Sequence, residues 1–542
     1  MAHSAEPKAS AGRFNQAVFF VLLAIVLTGA LLARWIGLGW ESLWFDEGYT
    51  AWMISNPARE IVRLVRADTA PPLHYLMLHA WVGVLGDSEF SLRGFSALGG
   101  TIALGATGLL SVRLLPWRWA MLLVIALAGF SPQAVRYARE GRFYALMLLE
   151  LALAIYCIVR WRGVEKGTGW WLVPLTLVLA ASVYTNNVMI LYTGFVLLTA
   201  ACWPRQAVGP TLSGGEALRR WTRDVLWPLM GVALAIALLY LPWLPHFLAQ
   251  GRALQGHFWM DRPTWGSLTA VLSTVCGGEN FPTSKTWVGL FGLPVSSQSV
   301  AWVTLSAMVI LLTCGFISAD RFGRQRLIAL LALAFGPILF LFVYSRIRQP
   351  VFTDKAFIGS TWVLALMVGL CIDAAGSRKP TLWLACFSAG VLMSVSVASL
   401  VGFFHFDHKE DWRSAAAFVR AMPPAHRLLV FCANEGQLPY DYYDRHGKDP
   451  RTGAPAGFFD QDPPRTMLRV LGDEDIAPLC QKLDEGKFEE VVYIAAHAWW
   501  SDPANRVESL LKARYTEMDR KTLRDVAVIH FGQHSQPKTS HP

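Results

Sequence analysis

RLIALLALAFGPILFLFVYS, residues 326–345, is followed after a short charged loop by AFIGSTWVLALMVGLCIDAA, residues 356–375, and then by TLWLACFSAGVLMSVSVASLVGF, residues 381–403. Each run is close to the roughly 20 residues a helix needs to cross the bilayer hydrocarbon, where lipid offers no partner for backbone N–H and C=O groups. Working outward, comparable runs fall near 17–36, 92–112, 117–132, 143–160, 170–185, 187–203, 225–245 and 298–317. The sequence predicts a polytopic all-α membrane protein with about eleven transmembrane helices. Composition agrees: 54% of the 542 residues are hydrophobic and only 16% charged, against roughly 25% charged in soluble chains. A string of soluble domains is excluded. The net charge of +9 would otherwise point to nucleic acid, but most of the cations sit in short loops between apolar runs, where they act as topology signals.

Those loops fix an orientation. With the N-terminus inside, the inner loops carry Arg113 and Arg118; Arg160, Arg162 and Lys166; Arg205, Arg219, Arg220 and Arg223; Arg321, Arg324 and Arg326; and Arg378 and Lys379, as the positive-inside rule expects. Residues 71–86, PPLHYLMLHAWVGVLG, are apolar too, but the run is short, opens with Pro71-Pro72 and carries His74 and His79. It reads as an interfacial helix of the first outward loop; counting it as a span would turn every later basic loop outward. The first span follows a polar start with no small-residue cleavage site and reads as an uncleaved signal anchor. Segments 38–91, 133–142, 246–297 and 346–355 then face outward, with everything after about residue 404.

From residue 405 the composition changes to Asp, Glu, Arg, Pro and Tyr. DWRSAAAFVRAM and NRVESLLKARY read as helices, and RLLVFCA, EVVYIAA and DVAVIHF as strands, so a small α/β soluble domain is expected. The expected organisation is a transmembrane domain over 1–404 and an extracytoplasmic domain over 405–542. The eight cysteines lack CxxC spacing, and no metal site is predicted. Cys432 and Cys480 share the outward domain and could bond in an oxidising compartment.

Chemistry is expected on the outward face. The first loop contains Trp44-Phe45-Asp46-Glu47-Gly48-Tyr49-Thr50, two adjacent carboxylates just after a span. Partial desolvation and mutual repulsion would raise one of them into the range of a usable proton acceptor; the same dipeptide also suits a solvated helix N-terminus. The second loop reads Arg136-Tyr137-Ala138-Arg139-Glu140-Gly141-Arg142-Phe143-Tyr144. Arginine forks match phosphate oxygens, and tyrosines add hydroxyl and stacking contacts. Arg346, Arg348 and Lys355 form a third outward basic cluster, and the three together suit an anionic lipid headgroup.

The order of these motifs resembles the C-type (GT-C) integral-membrane glycosyltransferases, in particular the family 39-like branch that holds protein O-mannosyltransferases and lipid A aminoarabinose transferases. Asp46-Glu47 resembles that branch's acidic pair, and Asp68 through Gly100 the stretch that follows it. Tyr137 through Tyr144 resembles the second loop, SVYTNN and YLPWLP the ends of later spans, and KEDWRSAAAFVRAM the start of the outward domain. Three positions depart from the branch: Ala70 stands where His or Lys often precedes Pro-Pro, Asn186 where the branch often shows Tyr-Thr-His, and Lys355 where Arg is common. His74 is the candidate substitute for the first, and equally suits a packed interfacial histidine. Lys355 keeps its charge without the bidentate fork.

The resemblance implies a sugar donor on a polyprenyl phosphate and a lipid, protein or polysaccharide acceptor, at the outer (periplasmic) face of the cytoplasmic inner membrane; no nucleic acid partner is expected and no cofactor is predicted. It implies Asp46 as the catalytic base of a single inverting displacement. Glu47, Asp68, His74, Tyr137, Arg139, Glu140, Arg142, Tyr144, Arg346, Arg348 and Lys355 are the expected substrate-binding residues. The alternative is a polyprenyl-linked sugar carrier or flippase. Carriers place broken helices and ionisable groups near the midplane, often in matching halves, whereas here the charges gather at one surface and no halves match. A non-catalytic assembly protein is a third reading.

Overall fold

The computed structural model describes residues 6–163, 167–204, 214–253, 260–278, 296–406, 409–453 and 470–533. Lys166, Arg205, residues 254–259 and 279–295 of the third expected outward segment, and parts of the tail lie outside the described residues. The chain divides into two compact units: Met1–Ile36, Arg93–Leu248 and Met260–Asp407 form one, and Gly37–Leu92, Ala249–Trp259 and His408–Pro542 the other.

The first unit is helical. Among the described residues, nine helices are long and apolar enough to cross a membrane, or ten if the pair Arg118–Gly129 and Pro132–Ala138, bent by 51°, is one span. Each predicted run has its helix. The run at 187–203 becomes Val188–Cys202, which at 1.5 Å per residue is about 22 Å, short of the roughly 30 Å hydrocarbon thickness. The bend has a local cause. Pro132 starts the second helix and the Ser131 hydroxyl accepts from the Ala134 N–H at 3.3 Å, a cap that ends one helix and begins another. At the centre runs helix Ile358–Ala375, buried along nearly all its length. Its Trp362 indole donates to the Thr107 hydroxyl at 2.7 Å. Gly369 lets it approach its neighbour: a Cβ there would lie 2.2 Å from Val124 Cγ2, the close packing that small residues permit between membrane helices.

The second unit holds a five-stranded sheet in the order β2-β1-β3-β5-β4, with β1 at Arg427–Cys432, β2 at Arg451–Gly453, β3 at Glu490–Ala495, β4 at Tyr515–Thr522 and β5 at Ala527–Gln533. β1 pairs parallel with β2 and β3; β5 is antiparallel to β3 and β4. Alternate residues of β1, β3 and β5 point to opposite faces, and both faces are covered. Leu428, Val430, Val491, Tyr493 and Phe531 pack with Leu479 and Leu483 of helix Ile476–Gly486 and Val507 and Leu511 of helix Arg506–Arg514. Leu429, Phe431, Val492, Ile494 and Val528 pack with Trp412, Ala416 and Val419 of helix Trp412–Arg420 and Tyr440 of helix Gln437–Tyr443. Two-sided burial explains why these strands read as continuous apolar runs. The three predicted strands and two predicted helices are present. Cys432 and Cys480 are free thiols.

Segment 37–92 contributes three short helices, Phe45–Ser55, Ala58–Val65 and Leu73–Leu85, to this same unit. The last, expected as an interfacial helix, has 13 residues and at about 20 Å is too short to span.

Candidate functional site

The acidic pair opens helix Phe45–Ser55. Asp46 and Glu47 lie in its first turn, where negative charge complements the exposed N–H dipoles. Asn56 closes the helix, its side-chain amide donating to the Trp52 carbonyl at 2.8 Å, and Pro57 follows. The first turn is not capped by its own neighbours: Trp44 makes no side-chain cap. Instead the Phe45 N–H donates to Glu410 Oε2 at 3.3 Å, and just upstream the Leu43 N–H donates to the Tyr443 hydroxyl at 2.7 Å.

The two carboxylates have different surroundings. Glu47 is 1% exposed and its Oε1 lies 3.0 Å from Lys409 Nζ; a charge so buried needs such a counter-charge. Asp46 is half-buried, and its backbone carbonyl accepts from the Thr50 hydroxyl at 2.9 Å. Glu410 is buried too. It accepts from the Trp412 indole and lies 2.9 Å from His497 Nε2. That bond to Glu410 raises the His497 pKa, and burial pushes the nearby Glu435 carboxyl up to about 7. Asp68 accepts from the Tyr75 hydroxyl at 3.3 Å, bracing the turn before helix Leu73–Leu85. His74 is 1% exposed, its ring 5.7 Å from that of Tyr75.

The remaining expected residues belong to the membrane unit. Helix Pro132–Ala138 and the turn Asp354–Phe357 are brought together by buried Gln133, which donates to the Asp354 carbonyl at 3.0 Å and accepts from the Thr361 hydroxyl. The second and third basic clusters therefore adjoin, with Lys355 half-buried in that turn. Tyr137 and Tyr144 are buried with ring centroids 4.6 Å apart. Glu140 is buried, 3.5 Å from Arg136 Nε. Arg142 lies over the Phe143 ring. Arg139 Nη1 donates to the Ala33 and Ile36 carbonyls at 3.0 and 2.6 Å, so this arginine ties down the end of helix Glu6–Trp35. Arg346 Nη1 donates to the Pro263 carbonyl at 3.0 Å, and Arg348 is exposed.

Three groups went unassigned in the sequence reading. Lys409, Glu410 and His497 carry the charge pairing around the acidic helix, and the sequence signal for the first two was the Lys-Glu pair before DWRS. Glu150, buried in helix Tyr144–Trp161, accepts from the Thr185 hydroxyl at 2.6 Å; ionisable groups within spans mark functional positions by default. An apolar groove of about 270 Å³, lined by Val183, Ile190, Thr193, Leu197, Ile236 and Tyr240, lies between three membrane helices. Among the described residues no group of three or more His, Cys, Asp or Glu is placed to hold a metal ion.

No family model matches the chain, and no curated protein matches it in sequence. Solved structures do match. ArnT from Cupriavidus metallidurans in the apo state superposes with a TM-score of 0.54 at 12% identity, over 95% of this chain and 98% of that one. The same protein bound to undecaprenyl phosphate gives 0.52 at 13% identity, over 94% and 97%. The Archaeoglobus fulgidus oligosaccharyltransferase in the apo form gives 0.50 at 11% identity, over 88% and 70%. The chain has the fold of the GT-C integral-membrane glycosyltransferases.

Proposed function

We propose that this chain is a membrane glycosyltransferase that moves a sugar from a polyprenyl-phosphate donor to an acceptor hydroxyl at the outer face of the cytoplasmic membrane. The observation that carries this reading is the division of the acidic pair: Glu47 is buried against Lys409, while Asp46 is half-buried at the helix start. Glu47 is committed to an ion pair, and Asp46 beside it, in the first turn of the same helix, is assigned as the proton acceptor. Asp46 takes the acceptor hydroxyl's proton as that oxygen bonds the anomeric carbon. The anomeric C–O bond to phosphate breaks, and polyprenyl phosphate departs with the electron pair. A phosphate leaves without protonation where cations stabilise it, the role assigned to Arg142, Arg348 and Lys355; Arg139 holds the loop of Arg142 through its contacts to the Ala33 and Ile36 carbonyls.

The shared fold supports the reading, as does the undecaprenyl phosphate bound by one structural neighbour. The apolar groove in the membrane unit has the chemistry of an isoprenoid tail site. The test is release of free polyprenyl phosphate from a panel of polyprenyl-phosphate sugars in reconstituted membranes supplied with acceptor extract. Release with one sugar, abolished in Asp46→Asn, is expected. Movement of donor between leaflets without release, unaffected by Asp46→Asn, would replace the transferase with a carrier.

A further inference from the structure

The Lys409-Glu410 dipeptide and His497 take no part in the displacement above, yet they converge with the acidic helix in the second unit, and the sheet topology shows why. From β1 the chain crosses to β2 on one side, and from β2 it returns to β3 on the other side of β1. The C-terminal ends of β1 and β3 are therefore the switch point of the parallel strands, where open α/β sheets leave a crevice for ligands. Asn434 and Glu435 follow β1 and His497 follows β3, in turns joined by the Ala433 N–H to Ala496 carbonyl bond at 2.8 Å. In this chain the place is taken by the chain itself. Helix Phe45–Ser55 packs on the turn Asn434–Gly436 and on helix Gln437–Tyr443. The approach is so close that a Cβ on Gly48 would lie 2.7 Å from the Pro439 nitrogen.

We infer that the switch point of the tail domain is a holding site for the acidic helix, and that Lys409, Glu410 and His497 are the positioning residues that fix it. Lys409 engages the Glu47 carboxylate and withdraws it from proton transfer. Glu410 caps the helix start through the Phe45 N–H and is steadied by the Trp412 indole and His497. His497 is faced by Glu410, Glu435 and Asp525, so carboxyl groups from three segments surround it. The holding site stands on geometry alone; its service to Asp46 rests on the transferase reading.

The experiment compares the full-length chain in lipid nanodiscs with Lys409→Met, Lys409→Arg and His497→Gln, by hydrogen exchange and by polyprenyl phosphate release. Lys409→Met and His497→Gln are expected to speed exchange in peptides covering residues 45–55 at least tenfold, with β4 and β5 unchanged and Lys409→Arg close to wild type. Lys409→Met is also expected to lower kcat at least tenfold with the donor KM within twofold, and to broaden the pH profile because Glu47 becomes a second titrating carboxylate. Should Lys409→Met loosen β4 and β5 too, His497→Gln decides, since it leaves the Glu47 pair intact. Unchanged exchange in residues 45–55 for both variants overturns the holding site. Faster exchange with an inactive wild type upholds it and rejects only the transferase reading. Faster exchange with kcat and pH profile unchanged overturns the positioning role.

Discussion

Two short loop helices, Phe45–Ser55 and Pro132–Ala138, both follow a membrane helix and both carry residues expected to act on substrate, yet they are secured by opposite means. The second is capped by its own neighbour Ser131, tied to the Asp354–Thr361 segment by the amide of Gln133, and followed by Arg139, which donates to backbone carbonyls; its Arg136 pairs with Glu140. The first has no local cap. Its opening N–H is received by Glu410, 365 residues along the chain, and its buried acid is matched by Lys409. Amide and hydroxyl contacts are indifferent to pH, whereas a helix start held through two carboxylates, a lysine and a histidine answers to it. The difference places the titrating contacts at the acidic helix, in the charge pairing of Glu47, Lys409, Glu410 and His497.

Asp46 is expected to give the largest effect. Asp46→Asn removes the proposed proton acceptor with little change of volume, and transfer is expected to fall by about 10²–10⁴-fold, measured as polyprenyl phosphate release; loss below tenfold would leave both loops equal in their distance from the chemistry.

Next comes pH. Burial pushes the Glu435 carboxyl up to about 7, so the folded form binds a proton more tightly than the unfolded one. Its stabilisation is full below the ordinary glutamate range and is lost as pH rises toward 7. His497 is raised by Glu410; its contribution is full below the ordinary histidine value near 6.5 and is lost as pH rises through the folded value. Both act in one direction. Between pH 5 and 8 the opening free energy of helix Phe45–Ser55, read by hydrogen exchange, should fall by about 2–3 kcal/mol. Helix Pro132–Ala138 should change less, because its Ser131 cap and its Gln133 contacts do not titrate in this range.

Gln133→Leu sharpens the other side of the comparison. It leaves the Asp354 carbonyl and the Thr361 hydroxyl without this buried partner and should cost about 1–3 kcal/mol in thermal unfolding at every pH. Ser131→Ala, which removes only the local cap, should cost about 1 kcal/mol, again without pH dependence. Neither should change exchange in residues 45–55.

Much of the fold was legible because lipid imposes a simple rule: a spanning helix must be apolar for its whole length, so each predicted span has its helix. The strands β1, β3 and β5 were legible for a related reason, being apolar through two-sided burial. β4, YTEMDRKT, was not, since seven of its eight residues are exposed and an exposed edge has no apolar alternation to read. β2 has three residues, too few to show a period. At the site, Asp46-Glu47 and the basic loops stood out because charge beside a span is costly and therefore informative. Arg139 looked the same in sequence as Arg142, since nothing local distinguishes a guanidinium destined for carbonyls. Lys409, Glu410 and His497 were invisible as a set: their meeting depends on a sheet switch point and on a loop more than 350 residues distant.

The central claim is that Asp46 alone accepts the acceptor's proton in one displacement at the anomeric carbon. Its most direct test is the anomeric configuration of the transferred sugar, read by nuclear magnetic resonance on product made by the wild-type chain from a donor of known configuration. Inversion, with no product from Asp46→Asn, is the predicted result. Retention of configuration would require a covalent sugar intermediate and a second carboxylate, and would contradict the assignment of Glu47 to Lys409.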